Sequence, residues 1–159
     1  MTAKDLARMF EFNAFTLQKN IEAVTDEESL QIPEPSVNSM NWVSGHIVAV
    51  RAGLLNMVGG ETIWNKEALA LYRSGATPLT AENARPVEEI MDAFHASQRA
   101  VEQWIAESDA RLNEIADGDG FLAEDETWGH RVSFFALHEA YHCGQIGYIR
   151  RLVGKEGVI

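Results

Sequence analysis

The sequence predicts an all-α fold in which four long helices form a bundle, with residues 1–159 as a single domain. Four segments carry apolar residues at intervals of three and four, and no stretch alternates apolar and polar residues as a half-buried strand does. A chain of 159 residues can bury roughly two-thirds of its unfolded surface around one core. The composition, with 46% hydrophobic and 23% charged residues, is that of a folded globular domain and argues against disorder.

The first two helices are predicted from their apolar stripes and from their end signals. Helix one covers residues 3–24, and helix two begins after Ser39, whose hydroxyl can cap the amides of the first turn. Gly59-Gly60 ends helix two. The stripe of helix one is Leu6, Met9, Phe10, Asn13, Leu17, Asn20, Ile21 and Val24. The stripe of helix two is Val43, Ile47, Val50, Leu54 and Met57.

The other two long helices carry similar signals. Helix three begins at Pro86, because proline suits a first helical turn, and Glu88 and Glu89 favour the positive end of the helix dipole. Helix four covers residues 127–153, and Gly154 ends it. The stripe of helix three is Val87, Ile90, Phe94, Val101 and Ile105. The stripe of helix four is Phe134, His138, Tyr141, Gln145, Ile149 and Leu152, which is polar in the middle.

The connection between helices two and three is long enough to cross the bundle. Residues 59–85 can return over the length of a helix, so helix three can start parallel to helix two, although the sequence does not require it. Within this connection, residues 65–73 are predicted to form a short helix, whereas Ser74-Gly75 and Pro78 indicate a loop.

Charge and cysteine content exclude several classes of function. The formal charge of -11 repels phosphate backbones and anionic lipids, so we expect neither nucleic acid nor a membrane as a partner. Cys143 is the single cysteine, which rules out a disulfide within the chain. The start of the chain does not resemble a signal peptide, and no apolar run approaches a membrane span, so a cytoplasmic location is expected.

Residues 138–142, His-Glu-Ala-Tyr-His, match the H-E-x-x-H pattern of helical metal sites. On a helix His138 and His142 lie one turn apart, so both imidazoles can bind the same ion. An open zinc site needs three protein ligands. His46 supplies the third, because it lies on the inward stripe of helix two. The sequence therefore predicts one divalent metal ion held by these three histidines.

Ordinary core histidines bonded to carbonyls or water are the alternative for each of these residues. Three histidines directed at one core are hard to explain by packing, because each buried imidazole needs polar partners for its nitrogens. A shared metal provides those partners. His95 and His130 lack this common orientation and are left out of the site.

A zinc peptidase is the distant alternative that the H-E-x-x-H pattern raises, with Glu139 as the base for the metal-bound water. The wider context does not support it. Tyr148 stands where the extended pattern requires a third histidine, and Glu156 is the one glutamate that follows His142. No strand is predicted upstream that could hold a peptide.

Two motifs in the chain resemble the DinB/YfiT-like family of small metal-binding proteins. Residues 41–47, Asn-Trp-Val-Ser-Gly-His-Ile, resemble the family's tryptophan followed by Gly-His at the start of helix two. Residues 138–146, His-Glu-Ala-Tyr-His-Cys-Gly-Gln-Ile, resemble its H-x3-H-x-G-Q signature on helix four. The likeness spans nearly the whole chain, and the two motifs agree in order and placement.

This resemblance implies an up-down-down-up four-helix bundle with a long crossover between helices two and three, a three-histidine site and often a homodimer. Zinc is the first expectation for the metal, with nickel or iron as alternatives. Characterised relatives include metal-dependent thiol S-transferases and a thiol-dependent isomerase, while many members have no known reaction. A small-molecule substrate and a low-molecular-weight thiol are therefore the expected partners.

The expected chemistry is that of a metal-dependent enzyme of the thiol S-transferase or hydrolase type. No fourth protein ligand is evident, so we hypothesise that a thiol or water binds the metal and loses its proton there. A metal-binding or ligand-sensing module without turnover is the alternative.

Three further residues are candidates for the site. Glu139 is a candidate catalytic residue, although a salt bridge or solvent exposure would also explain it. Gln145 and Trp42 are candidates for substrate binding, against simple packing between helices. Cys143 is expected to be a buried apolar residue and not a nucleophile.

Overall fold

The computed structural model describes residues 2–35, 37–118, 123 and 125–158, and this part of the chain is helical. The helices are α1 (Ala3–Ile21), α2 (Asp26–Ser29), α3 (Met40–Met57), α4 (Lys66–Leu71), α5 (Val87–Glu107) and α6 (Trp128–Leu152), with a 3₁₀ turn at Arg111–Asn113. Within these residues the β-type pairing is confined to an isolated antiparallel bridge between Ile115 and Thr127. The all-α prediction is confirmed, and the four predicted long helices are α1, α3, α5 and α6.

Local capping interactions explain where the helices begin. The Ser39 hydroxyl accepts a hydrogen bond from the Trp42 amide at 3.2 Å, as predicted for the start of α3. Pro86 is the residue that precedes α5 and not its first helical residue. In α6 the Thr127 side chain caps the first turn by accepting a hydrogen bond from the His130 amide.

Two differences from the predicted elements have local causes. α1 ends at Ile21, earlier than the predicted residue 24, and Ala23 has a positive φ of 59° that is incompatible with helix continuation. The short helix α2 is not among the predicted elements. Its signal is a capping box in which Thr25 and Glu28 each bond the other's backbone amide.

The four long helices pack against one another around a common core. α1 contacts α5 and α6, and α3 contacts the same two helices from the other side. One core cluster includes Leu17, Val43, Ile47, Phe94 and Ile146. The second includes Leu6, Phe10, Leu54, Val101 and Val132. In the described ranges, none of the helices combines the length and apolar character that crossing a membrane requires.

The buried face of α6 differs from the predicted stripe. Tyr141 is 65% exposed and Leu152 is 36% exposed, so both assignments to the core were wrong, whereas Ile149 is buried as predicted. Glu139 and Cys143 lie on the buried face instead. The buried face was predicted wrongly because a pattern of apolar residues does not place a glutamate in a core. Here Glu139 is buried because it forms an ion pair with the buried Arg51.

Candidate metal centre

His46, His138 and His142 come together between α3 and α6. Each offers one ring nitrogen as a ligand atom, and these three atoms lie within 4.8 Å of one another. The His138 and His142 ring centroids are 4.4 Å apart, and the His46 centroid lies 4.8 Å from that of His142. Within the described ranges this is the one group of three or more potential ligands close enough to share an ion. His95 and His130 are not part of it.

A backbone carbonyl and an aromatic ring orient His46. Its Nδ1 lies 2.7 Å from the carbonyl oxygen of Tyr72. Because a carbonyl can only accept, Nδ1 must carry the proton, and Nε2 is left with a free lone pair. The indole of Trp42 stacks on the imidazole with centroids 4.8 Å apart and an interplanar angle of 8°. Trp42, predicted at the site, is therefore in direct contact with a candidate ligand.

Gln145 orients His142 in a similar way. The His142 Nδ1 lies 2.7 Å from Gln145 Oε1, and the Gln145 amide nitrogen donates to the Tyr141 hydroxyl at 3.2 Å. With Nδ1 as a donor, Nε2 of His142 presents its lone pair. The structure thus places Gln145 behind a candidate ligand, where its side chain selects the tautomer.

The donor set fits a divalent ion. Nε2 of His142 and Nε2 of His138 are 3.1 Å apart. This separation is short enough for both nitrogens to bind one ion with metal–nitrogen bonds of about 2.1 Å.

Burial favours the neutral, ligand form of two of the imidazoles. Desolvation lowers the pKa of His142 to about 4, opposed by its hydrogen bond to Gln145 and assisted by the neighbouring histidines. Desolvation, followed by the charge of His46, also lowers the pKa of His138. Burial therefore favours, at both rings, the neutral imidazole that metal coordination requires. The buried Nδ1 of His138 has no hydrogen-bond partner in the described part of the chain.

Glu139 does not join the histidines. It is 2% exposed. Its two carboxylate oxygens accept hydrogen bonds from Arg51, one from Nη2 at 2.8 Å and one from Nε at 2.5 Å. The structure therefore shows the salt-bridged alternative for Glu139, and the role of a base facing the metal is corrected accordingly. The physical reason is that a buried carboxylate requires a paired charge, and α3 supplies that charge.

Arg51, the partner of this carboxylate, is not among the residues predicted from the sequence. Its guanidinium donates to Ser97 Oγ at 3.2 Å and to Gln98 Oε1 at 2.5 Å, and it lies 4.0 Å from the centroid of the Phe94 ring. Arg51 is the one Asp, Glu, Lys or Arg residue in the α3 segment 40–57. A lone arginine in an otherwise uncharged helix was the available signal for a buried ion pair.

A cavity of about 440 Å³ lies beside Trp42. Its walls come from the segment before α3, from the start of α3 and from the loop after α4, and they contain apolar and uncharged polar side chains. The lining residues are Leu30, Ile32, Pro35, Val37, Asn38, Ser39, Trp42, Ser74, Gly75, Ala76, Thr77, Pro78 and Leu79. Trp42 lines this cavity and also stacks on the His46 ring, so it connects the cavity to the histidines.

Comparisons with known proteins identify the fold and the family of the chain. The fold is similar to that in a crystal structure of a conserved protein from Enterococcus faecalis, with a TM-score of 0.70 and 16% identity, over 96% of this chain and 98% of that chain. Comparison with curated proteins gives no match. The family model of the DinB superfamily matches residues 9–146, a range that includes all three histidines. The chain belongs to the DinB superfamily.

Proposed function

We propose that the protein is a metal-dependent enzyme of the thiol S-transferase or hydrolase type, with His46, His138 and His142 as the ligands of one divalent ion. The observation that carries the proposal is the orientation of His46 and His142. Their Nδ1 atoms are held by Tyr72 and Gln145, so both Nε2 atoms present lone pairs that can bind an ion.

A divalent cation held by these residues would supply a Lewis acid that lowers the pKa of a thiol or of water. Zinc suits three imidazoles, and nickel and iron accept the same ligands. In the described ranges, no carboxylate or cysteine joins the three histidines as a further ligand. This supports a centre with positions open to a small molecule.

The side chains around the histidines support distinct roles. Trp42 borders the cavity, whose uncharged walls suit an apolar or weakly polar part of a substrate. Gln145 keeps the His142 ring in place through Nδ1. In thiol transfer, the sulfur forms a bond to an electrophilic carbon, and the leaving group departs with the electron pair of the broken bond. The thiol proton passes to solvent.

Metal content is the first test of this proposal. We expect protein purified without a histidine tag or added metal to contain close to one equivalent of a divalent ion. The measurement is inductively coupled plasma mass spectrometry. The His46→Ala variant should lose most of it, and the His95→Ala variant should keep it, because His95 lies outside the cluster. Equal metal in wild type and His46→Ala would remove His46 from the site.

Turnover is the second test. Metal-loaded protein is incubated with a panel of low-molecular-weight thiols and 1-chloro-2,4-dinitrobenzene, and in parallel with simple ester and amide substrates. We expect consumption of one class of substrate that stops when a chelator removes the metal. No turnover by fully loaded protein would contradict the enzyme proposal and favour a metal-binding or ligand-sensing module.

We also propose the up-down-down-up order of the four long helices. Asn41 donates to the Arg85 carbonyl at 2.8 Å, and Arg51 contacts Ser97, so positions along α3 and α5 increase together. In contrast, His46 packs on His142 while Arg51 pairs with Glu139. These contacts support α3 and α5 in parallel and α3 and α6 antiparallel.

A homodimer is the assembly that we propose. Large apolar side chains are exposed along the adjacent helices α1 and α6: Phe12 and Leu137 are each 65% exposed, and Phe15 is 53% exposed. Phe12 and Leu137 line the same surface cavity. An exposed apolar surface of this kind is unusual on a monomer and supports a second copy as the partner.

A further inference from the structure

Gly45, immediately before His46, allows an aromatic ring to touch the backbone of α3. A Cβ atom added at this position would lie 2.7 Å from Cγ of Tyr72 and closer still to two other atoms of that ring. Contacts this short do not occur for real side chains, so glycine is the residue that leaves room for the Tyr72 ring. Gly53 on the same helix has open space around it.

Tyr72 is held in this place by contacts at both ends of its side chain. It is fully buried at the end of α4. Its hydroxyl donates to Asn41 Oδ1 at 3.1 Å and accepts from the Arg85 amide at 2.9 Å. The Trp64 ring packs beside it, with centroids 5.3 Å apart. These contacts fix the position of the Tyr72 ring, and therefore also of its backbone.

The backbone carbonyl of Tyr72 is the group that bonds His46 Nδ1, at 2.7 Å. The ring packed on Gly45 therefore brings the carbonyl of the same residue to the imidazole of the next position on α3. A hydrogen bond at one ring nitrogen selects the tautomer and the orientation of a metal-binding histidine.

We propose that Gly45 and Tyr72 are positioning residues for the metal centre: Gly45 admits the Tyr72 ring so that the Tyr72 carbonyl holds His46 with Nε2 directed at the ion. This inference rests on the proposed function, because it assigns His46 as a ligand. It explains why a glycine precedes the histidine on α3, and it adds residue 72, which neither sequence motif contains.

The first experiment compares two glycine substitutions on the same helix. Zinc affinity is measured by competition with a chromophoric chelator for wild type, Gly45→Ala and Gly53→Ala. We expect Gly45→Ala to weaken zinc binding by about 10- to 100-fold, the effect seen when partners of metal ligands are lost. Gly53→Ala should bind zinc as wild type does. Unchanged affinity in Gly45→Ala would overturn the proposal.

A double-mutant comparison separates positioning from general damage to the fold. If Gly45 acts through His46, Gly45→Ala should cause no further loss of zinc affinity in the His46→Ala background. The same further loss in both backgrounds would show that Gly45 acts on the fold and not on His46.

A measurement on the wild type keeps the inference testable if Gly45→Ala does not fold. In metal-free protein labelled with ¹⁵N, long-range proton–nitrogen spectra of the histidine rings report which nitrogen carries the proton. We expect the proton of His46 on Nδ1, and a proton on Nε2 would overturn the inference. If wild-type protein binds no zinc, the proposed function fails while this tautomer result still decides the role of Tyr72.

Discussion

Arg51 and Glu139 show how single residues in this chain combine charge with burial. Both residues are almost fully buried, at 1% and 2% exposure. Their side chains form a bidentate ion pair between α3 and α6. Removing two charges from water is costly, so such a pair is stable only when its remaining donors and acceptors are bonded. Ser97 Oγ, Gln98 Oε1 and the Phe94 carbonyl accept the other guanidinium hydrogens. His138 is the neighbour of Glu139 in the chain. The pair therefore links the two helices that carry the histidines.

We predict that Glu139→Gln destabilises the protein by about 3 kcal/mol or more, because it leaves the Arg51 charge buried without a counter-charge. The measurement is the free energy of unfolding from urea titration of metal-free protein. Glu11→Gln is the matched control, since Glu11 pairs with Arg8 at the surface and exposed pairs contribute little. Similar losses in the two variants would contradict the assigned role of the buried pair.

The thiol of Cys143 is predicted to be unreactive in the folded protein. Burial, together with the charge of Glu139, raises its pKa to about 12, and Sγ contacts the Asn13 carbonyl at 3.5 Å. Because the thiolate is the reactive form, alkylation by iodoacetamide at pH 8 should be at least about 100-fold slower in native than in urea-unfolded protein. Comparable rates in the two states would show that the thiol is accessible.

At the scale of helices, most of the architecture followed from local signals. Local sequence contains the signals for the cap at Ser39, the cap at Thr127 and the short helix after Asn65. Capping depends on side chains within three residues of the amide that they bond. The buried face of α6 does not follow from local sequence. An apolar pattern cannot indicate that a glutamate faces the core when its partner lies 88 positions away in the chain.

We predict that the Ser39 cap stabilises α3. Ser39→Ala removes the acceptor of the Trp42 amide and should lower the free energy of unfolding by about 1 kcal/mol. Ser39→Asp retains an acceptor and should unfold at nearly the same urea concentration as wild type. An equal loss in the Asp and Ala variants would show that the hydroxyl acts by packing and not as a cap.

At the scale of the whole molecule, the exposed apolar surface of α1 and α6 predicts self-association. We expect wild type to elute as a dimer in size-exclusion chromatography with light scattering, and a Phe12→Ser/Leu137→Ser variant to elute as a monomer, because it removes two of the most exposed apolar groups. Ile32→Ser is the control, since Ile32 is also exposed but lies in the segment between α2 and α3. A monomeric wild type would contradict the proposal.

The sequence by itself determined the four long helices, most of their ends and which three histidines come close together. Helical periodicity, caps and the spacing of His138 and His142 all depend on residues within one or two turns of each other. Tertiary structure decided the partners of those residues. The Tyr72 carbonyl bonds His46, although the two residues are 26 positions apart in the chain. Arg51 pairs with Glu139 over a separation of 88 positions, so Glu139 does not face the histidines. Contacts at such separations depend on how the helices pack, and a local pattern in one sequence does not contain that information.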